Sequence, residues 1–317
     1  MSAANISNTT GLNKVKYMSE ALPIIEYNLV MNKFGQEDEM PRSEGTSFSW
    51  IKFTKLDSDT GYTANATGDS PTWTPDSIGT TPITVTPDYL FGNGVEWNSA
   101  REYTSWSDIP KNMRKNLSVQ AAEVIDKRIR DVLITGTQVI YAGTSRTARN
   151  QLISTDIIVM KDIFRAAAKL QDNGAAPVAR FGKYCAVLSP ITQLSLLMDS
   201  TFRDLVEHSR ATDLFAGRIG TLGGVDFWMS QYAPTVSLSG SASSVATVDQ
   251  TLVFGEGAYG VSKIMFSDFD IIYTAPGGHG DEWKNKHKLT WKAAMKAVIL
   301  EDLAMVRIES ARDASYV

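Results

Sequence analysis

Apolar positions recur along this chain with two different periods. Between residues 107 and 136, Leu117, Ala121, Val124, Ile125, Ile129, Val132 and Leu133 fall three and four apart, which places them on one stripe of a helix. At about 1.5 Å per residue such a helix runs roughly 40 Å, long for a compact domain, and it reads as a spine for the segments around it. Ser107 or Asp108 can cap its first turn, Pro110 is tolerated there because that position needs no N–H donor, and Gly136 offers a left-handed residue to end it. The opposite face is charged: Glu123 precedes Lys127, and Asp126 precedes Arg130, by four residues, the favourable order for pairs on a solvated surface.

The second period is two. Leu289, Trp291, Ala293, Met295, Ala297 and Ile299 take odd positions while Lys288, Thr290, Lys292 and Lys296 take even ones, which predicts a half-buried strand with its odd face in the core. Met305, Val306 and Ile308 continue towards the terminus. This ribbon and the spine each carry one apolar face, so they are expected to cover one another.

Elsewhere the pattern is mixed. Residues 1–16 are polar and predict an extended or mobile arm. In 17–34, Leu22, Ile25, Leu29 and Met31 sit at helical spacing, with Pro23 near the first turn and Gly35 as a stop. Glu37, Asp38 and Glu39 read as a solvated turn. From 44 to 102 the pattern turns to strands, at Phe48, Trp50, Ile51 and Phe53 and again at 83–85 and 95–97. Between them lies a Thr-, Gly-, Pro- and Asp-rich stretch that cannot form a core of its own. It is either disordered or ordered by packing on something outside its own domain; the β-forming Trp73, Thr74 and Ile78 favour the second, which is a sign of assembly.

Beyond the spine, 137–154 is a polar connection carrying Arg146 and Arg149. A shorter helix follows with Met160, Ile163, Phe164, Ala167 and Leu170 inward; it starts at Thr155 or nearer Met160 and ends near Asn173 and Gly174. Residues 183–188 form a short buried strand. Ser189 and Pro190 then open a helix with Ile191, Leu194, Leu197, Met198, Phe202 and Leu205 inward. Residues 217–264 alternate glycine turns with strands, notably at 224–229 and 251–254, with a small flexible loop at 237–244. Together these elements predict a separate α/β lobe.

Composition narrows the function classes. A chain of 317 residues with 43% hydrophobic and 21% charged residues suits a soluble globular protein. A formal charge of −4 argues against a dedicated nucleic-acid binder while leaving local basic faces open. The single cysteine, Cys185, excludes an intrachain disulfide framework and a cysteine-cluster metal site, and its apolar surroundings predict a buried small hydrophobe. No signal peptide is indicated at the polar N-terminus, and no apolar run nears the ~18 residues of a membrane span. Synthesis in a cytoplasm follows as the default.

Chemical motifs are sparse. Gly255, Gly257 and Gly260 spell GxGxxG directly after a strand, but Val261, Ile264 and Phe266 look extended where a phosphate-binding turn must open a helix. The three histidines, His208, His279 and His287, form no H-E-x-x-H pair. His279 near Asp281 could in principle serve a serine nucleophile, yet no G-x-S-x-G elbow accompanies them. Lys284, Lys286, Lys288, Lys292 and Lys296 form a basic strip that suits a solvated strand face first and a phosphate-facing surface second. No catalytic, cofactor-binding or metal-ligating residue is assigned, no cofactor is expected, and the chain does not read as an enzyme.

A resemblance runs through nearly the whole chain. It is carried by Phe34-Gly35-Gln36 with Pro41 and Gly45, by Arg130-Asp131-Val132-Leu133 followed by Tyr141-Ala142-Gly143, and by Ser189-Pro190. It continues with Leu214-Phe215, Gly217-Arg218-Ile219-Gly220, Gly223-Gly224-Val225, Phe254-Gly255 and Ala258-Tyr259-Gly260. Trp291-Lys292-Ala293 and Met305-Val306-Arg307-Ile308-Glu309 complete it. In order and spacing these segments resemble the major capsid proteins of tailed bacteriophages, in the family typified by the coat protein of the podovirus called N-four.

The resemblance implies the Hong Kong 97-type capsid fold, an α+β architecture with an N-terminal arm, an extended β-hairpin loop, a spine helix packed on a long β-sheet and an α/β axial domain. Mapped onto this chain it gives an arm with a short helix at 1–43, the extended loop at 44–102, the peripheral domain with its spine helix at 103–148, the axial domain at 149–265 and the C-terminal strands of the peripheral domain at 266–317. The implied function is a coat protein that assembles with itself into hexameric and pentameric capsomers of an icosahedral head around double-stranded DNA. Implied partners are a separate scaffolding protein, a portal and decoration proteins, with no membrane and no sequence-specific DNA contact. The implied location is the virion, after assembly in the cytoplasm of a bacterial host. An encapsulin-like nanocompartment of the same fold, and an unrecognised hydrolase using His279 or Asp281, are the alternatives.

Overall fold

Successive residues of a strand point to opposite faces of its sheet, so a strand apolar at every position needs cover on both sides. The computed structural model describes residues 30–40, 47–56, 77–86, 88–104, 109–143, 145–180, 182–203, 220–238, 247–264, 269–277 and 281–313. In chain order the elements are β1 (Gln36–Met40), β2 (Phe48–Phe53), β3 (Thr80–Val85), β4 (Asp88–Asn98), α1 (Ser99–Thr104), α2 (Ile109–Leu133), β5 (Val139–Tyr141), α3 (Met160–Asp172), β6 (Tyr184–Leu188), α4 (Pro190–Met198), β7 (Thr221–Leu222), β8 (Val225–Met229), β9 (Thr235–Ser237), β10 (Thr247–Phe254), β11 (Tyr259–Ile264), β12 (Phe269–Thr274), β13 (Lys286–Ile299) and β14 (Met305–Ala311). Among the described residues, those in 92–121 and 270–292 make up a smaller unit and the others a larger one, with α2 and β13 contributing to both.

The larger unit is built on a mixed sheet of order β5-β14-β10-β6-β8-β7, with β9 also paired to β10. Alternation sorts its side chains between two cores. Tyr184, Ala186 and Leu188 of β6, Val253 of β10 and Val306 and Ile308 of β14 pack with Ile163, Ala167 and Leu170 of α3 and with Leu196 and Phe202. Cys185, Val187, Leu252, Phe254 and Met305 face the other way, onto Ile129 and Leu133 of α2, Met31, Tyr259 and Val261, and Met295 and Ala297 of β13. Each such aliphatic or aromatic side chain contributes about 1.5–3 kcal/mol when buried. Strand β11 pairs in parallel with β1 and antiparallel with residues 295–299 of β13, while β2 and β3 form an antiparallel ribbon from Phe48↔Val85 to Phe53↔Thr80.

Helix α3 starts at Met160, whose N–H donates to Asp199 Oδ2 at 2.8 Å, and ends at Asp172, followed by a turn at Gly174. There φ is +73° and Ala175 N–H donates back to Leu170 O, a conformation and a bond that glycine allows at least cost. Ser189 Oγ caps α4 by accepting from Thr192 N–H.

In the smaller unit, β4 and β12 both pair with β13, and Trp97, Leu117, Ala121, Leu289 and Trp291 are buried. Gln120 of α2 links the strands: its Oε1 accepts from Asn93 Nδ2 at 3.1 Å and from Trp291 Nε1 at 3.4 Å. The helix and ribbon expected to cover one another therefore meet within each unit.

Several expectations need correction. Gly136 is not left-handed; a Cβ there would meet the ends of the Met305 and Asp302 side chains, and the helix end is satisfied by Arg307, whose guanidinium donates to Ile134 O and Gly136 O. Asp126 is buried and binds backbone N–H groups instead of forming a solvated pair, while Arg130 pairs with its neighbour Asp131. The acidic run 37–39 is not a turn but lies within β1, at the sheet edge. In α4 the buried residues are Thr192, Ser195 and Leu196, and Met198 is exposed. The polar connection after the spine contains β5, and β9 occupies the start of the expected loop at 237. The helix expected in 17–34, the stretch at 57–76 and Leu205 lie wholly or mostly outside the described residues.

Candidate functional site

The residues that looked chemical are committed to structure. Gly255 follows β10 because a Cβ there would strike Ala176 O, and Gly260 sits inside β11, where the Trp50 ring and Leu300 press on it. Residues 259–264 are extended, so the glycines serve sheet packing and build no helix N-terminus for a phosphate. His287 stacks on Trp97 at 5.4 Å and 4°, with Nε2 3.0 Å from Ser99 Oγ and Nδ1 2.7 Å from Tyr273 Oη. His208 and His279 lie outside the described residues.

Asp281 accepts from the N–H groups of Gly277, Asn285 and Lys286. Bonds from Asn285 and then Lys286 hold its carboxyl below the usual carboxylate range, which suits a loop pin and not a general base. Burial pushes the Cys185 thiol up to about 12, with the Asp226 carboxylate adding to the effect, so it is inert packing. Of the lysine strip, Lys286 and Lys288 each approach Glu96 at 3.5 Å on a solvated face. Among the described residues, no three His, Cys, Asp or Glu side chains are placed to hold a metal.

What the structure does present is apolar surface. In the β2–β3 ribbon, Trp50 turns inward over Gly260 and meets Phe48 edge to face at 4.6 Å, and Lys52 pairs with Glu301. The alternate positions turn outward: Ile51 and Phe53 are 63% and 68% exposed, and Ile78 is 64% exposed just before β3. A ribbon apolar on both faces with one face uncovered marks an interaction surface. The smaller unit adds Trp283, 90% exposed, and Tyr103, 88% exposed. Motif and period reading does not single out these two, although a tryptophan between Glu282 and Lys284 has no core periodicity to belong to.

The described residues thus present exposed apolar side chains on the ribbon and on the smaller unit. No protein-family model matches the sequence and no curated protein matches it. Solved structures do. The chain is similar to the capsid of cyanophage P-SCSP1u, at 14% identity over 95% of this chain and 94% of that one, with a TM-score of 0.72. It is similar to the capsid of Ralstonia phage GP4, at 16% identity over 98% of both chains with a TM-score of 0.70. It is also similar to the capsid of cyanophage Pam1, at 11% identity over 98% of this chain and 100% of that one, with a TM-score of 0.72. The chain thus has the α+β fold of tailed-phage capsid proteins, the Hong Kong 97 type.

Proposed function

We propose that this chain is the major capsid protein of a tailed bacteriophage, a non-enzymatic coat subunit that assembles with itself into an icosahedral head around double-stranded DNA. The observation that carries this reading is a fold likeness to phage capsids that spans nearly the whole of both chains. The exposed ribbon at 48–53 and 80–85 supports it, since its outer face has no cover among the described residues and suits contact with another copy. In this reading 1–43 is the arm, 44–102 the extended loop, 103–148 with 266–317 the peripheral domain and 149–265 the axial domain. Copies associate as hexameric and pentameric capsomers, a separate scaffolding protein sets the particle size, and portal and decoration proteins complete a virion assembled in the host cytoplasm.

Electron microscopy of purified particles, with digestion of their contents by nuclease and by protease, tests the proposal. Icosahedral shells holding nuclease-sensitive DNA once opened are expected. Shells filled with a protein cargo would instead mark an encapsulin-like compartment, which the phage-capsid likenesses above do not favour. Correctly sized empty shells formed by this chain alone would remove the need for a separate scaffold.

A further inference from the structure

We infer that the outer edge of β5, with the basic face of α3 beside it, receives the acidic strand β1 of a second copy of this chain, so that one sheet continues from subunit to subunit; the inference rests on the coat-protein reading and deepens it by placing a contact between copies. Among the described residues β5 ends its sheet. Arg307 N–H donates to Gln138 O and Ala142 N–H to Glu309 O, so in this parallel register Ile140 spends its backbone groups on β14 while those of Val139 and Tyr141 point away from it. Such an edge is a template for a further strand. Beside it lies an open groove lined by Arg146, Arg165, Ala168 and Lys169 together with β5, and no carboxylate lines it. The small Ala168 leaves room there for an incoming side chain. Arg146 donates from Nε to Asp156 at 2.7 Å and Arg165 to Asp162 at 3.1 Å, yet both acids are buried and each guanidinium gives its acid a single N–H. Each therefore keeps donors for a second acceptor.

The chain carries the matching strand itself. β1 reads Gln36-Glu37-Asp38-Glu39-Met40 and ends the other sheet, paired on one side with β11. Alternation puts Glu37 and Glu39 on one face of it, and both are exposed. A strand added beside β5 turns every second side chain towards α3, where Arg165 and Lys169 stand one helical turn apart, about 6 Å along the axis. Two residues of strand advance about 6.6 Å, so Glu37 and Glu39 meet the two cations in step. Pairing of like edges is disfavoured: β1 against β1 sets its acids against the same acids, and β5 against β5 brings the same cations together. Pairing of unlike edges suits both strands. A contact between two different patches runs head to tail, the kind that closes a ring of copies.

The test uses the full-length chain and reads self-association by sedimentation velocity over a dilution series, with the unfolding transition of every variant measured beside it. Glu37→Lys/Glu39→Lys and Arg165→Glu/Lys169→Glu should each weaken association by at least roughly tenfold. All four substitutions in one chain restore opposite charges across the contact and should bring association back to within about threefold of wild type, the coupling that a double-mutant cycle reads. Because Arg165 also holds the buried Asp162, Arg165→Gln/Lys169→Gln is the milder second variant, and it should lose association while its unfolding transition overlays that of wild type. Val139→Pro removes an N–H that β14 does not use and should weaken association without unfolding the subunit. Unchanged association in the β1 and groove variants overturns the inference, as does failure of the fourfold variant to recover. Loss in the groove variants with none in Glu37→Lys/Glu39→Lys also overturns it, by assigning the groove to a different acidic segment. Absence of shells in the microscope would refute the coat-protein reading, while the charge-reversal series would still report on the contact by itself.

Discussion

The backbone N–H of Met31 donates to the buried carboxylate of Asp126 at 2.8 Å, across 95 residues of sequence. The same carboxylate oxygen accepts from Asn32 N–H at 3.3 Å, and Tyr259 Oη donates to Met31 O at 2.5 Å. Both polar groups of Met31 are thereby held, one by the spine helix and one by the strand β11. Replacing Asp126 with alanine leaves two N–H groups without their acceptor, and a loss of about 2 kcal/mol is expected in denaturant unfolding. Asp126→Asn keeps an acceptor and should lose less.

Acidity should separate the two variants further. Burial raises the Asp126 pKa against the opposing bonds from Met31 and Asn32, so the folded state takes up its proton more readily than the unfolded chain. The contribution of Asp126 is then largest below its unfolded value near 4 and declines as pH rises through the higher folded value. The carboxamide of Asp126→Asn does not titrate, so the stability of this variant relative to wild type should improve as pH rises above about 4. A flat or opposite trend in unfolding midpoints would exclude this account.

Glu309 has the opposite sign. Burial alone would raise its pKa, but bonds from Arg149 and Gln250, with the charges of Arg149 and Arg307, bring it below the ordinary glutamate value. Arg149 grips both carboxylate oxygens, Arg307 Nε donates at 2.9 Å and Gln250 Nε2 at 3.0 Å. The stability this provides is present above the unfolded value near 4.5 and lost as pH falls through the lower folded one. Glu309→Gln should cost about 3–5 kcal/mol, because it strands two partly buried guanidinium groups, and should flatten the acid limb of the stability profile.

Much of this architecture was legible in the sequence and some was not, for identifiable reasons. The odd positions from Leu289 to Ile299 gave β13 its core face because a half-buried strand writes its burial directly into alternation. The spine stripe was equally plain at Leu117, Ala121, Ile129 and Leu133. Asp126 was misjudged because i,i+4 spacing to Arg130 says nothing of a backbone partner 95 residues away. In α4, Thr192 and Ser195 go inward because each finds a partner there, at Asp249 and at Ile191 O, which hydrophobic spacing cannot register. Strand β1 is acidic and yet forms, because its hold on β11 is made by backbone groups at a sheet edge. The outward faces of Ile51 and Phe53 are the instructive case: alternation correctly gave a strand, but only the fold revealed that one apolar side has no cover within the described chain.

Close backbone approach explains another requirement. A Cβ on Gly92 of β4 would overlap Trp291 O of β13. Gly92→Ala must part these paired strands or break the ladder, so a loss of about 3 kcal/mol is expected in equilibrium unfolding. Substitution at Gly174, where nothing lies within 4 Å but φ is +73°, should cost less, about 1 kcal/mol.

Cys185 offers a probe of native packing. With its thiol fully buried and pushed up to about 12, the thiolate that reacts with disulfide reagents is scarce near pH 8 and out of reach. Labelling of the native protein should therefore be slow, at a rate set by opening of the sheet, and should become rapid above the unfolding midpoint. Prompt stoichiometric labelling of the folded protein would contradict this placement.

The ribbon formed by β2 and β3 gives the most direct test of the coat-protein reading. Trp50 and Phe48 anchor its inner face, so changes there should unfold the subunit locally and confuse assembly with stability. Ile51 and Phe53 point away and make no contribution the isolated subunit needs. Ile51→Asp/Phe53→Asp should consequently shift the unfolding midpoint of the free subunit by no more than about 0.5 kcal/mol equivalent per site. In a shell, the same substitutions would bury two carboxylates against a neighbouring copy at a cost of several kcal/mol per contact, repeated around every capsomer. Particle yield should collapse while soluble, folded subunit accumulates, as read by sedimentation and microscopy side by side. Deleting 60–80 should give the same separation of folding from assembly. Normal particles from either variant would show that the exposed ribbon is not where copies of this chain meet.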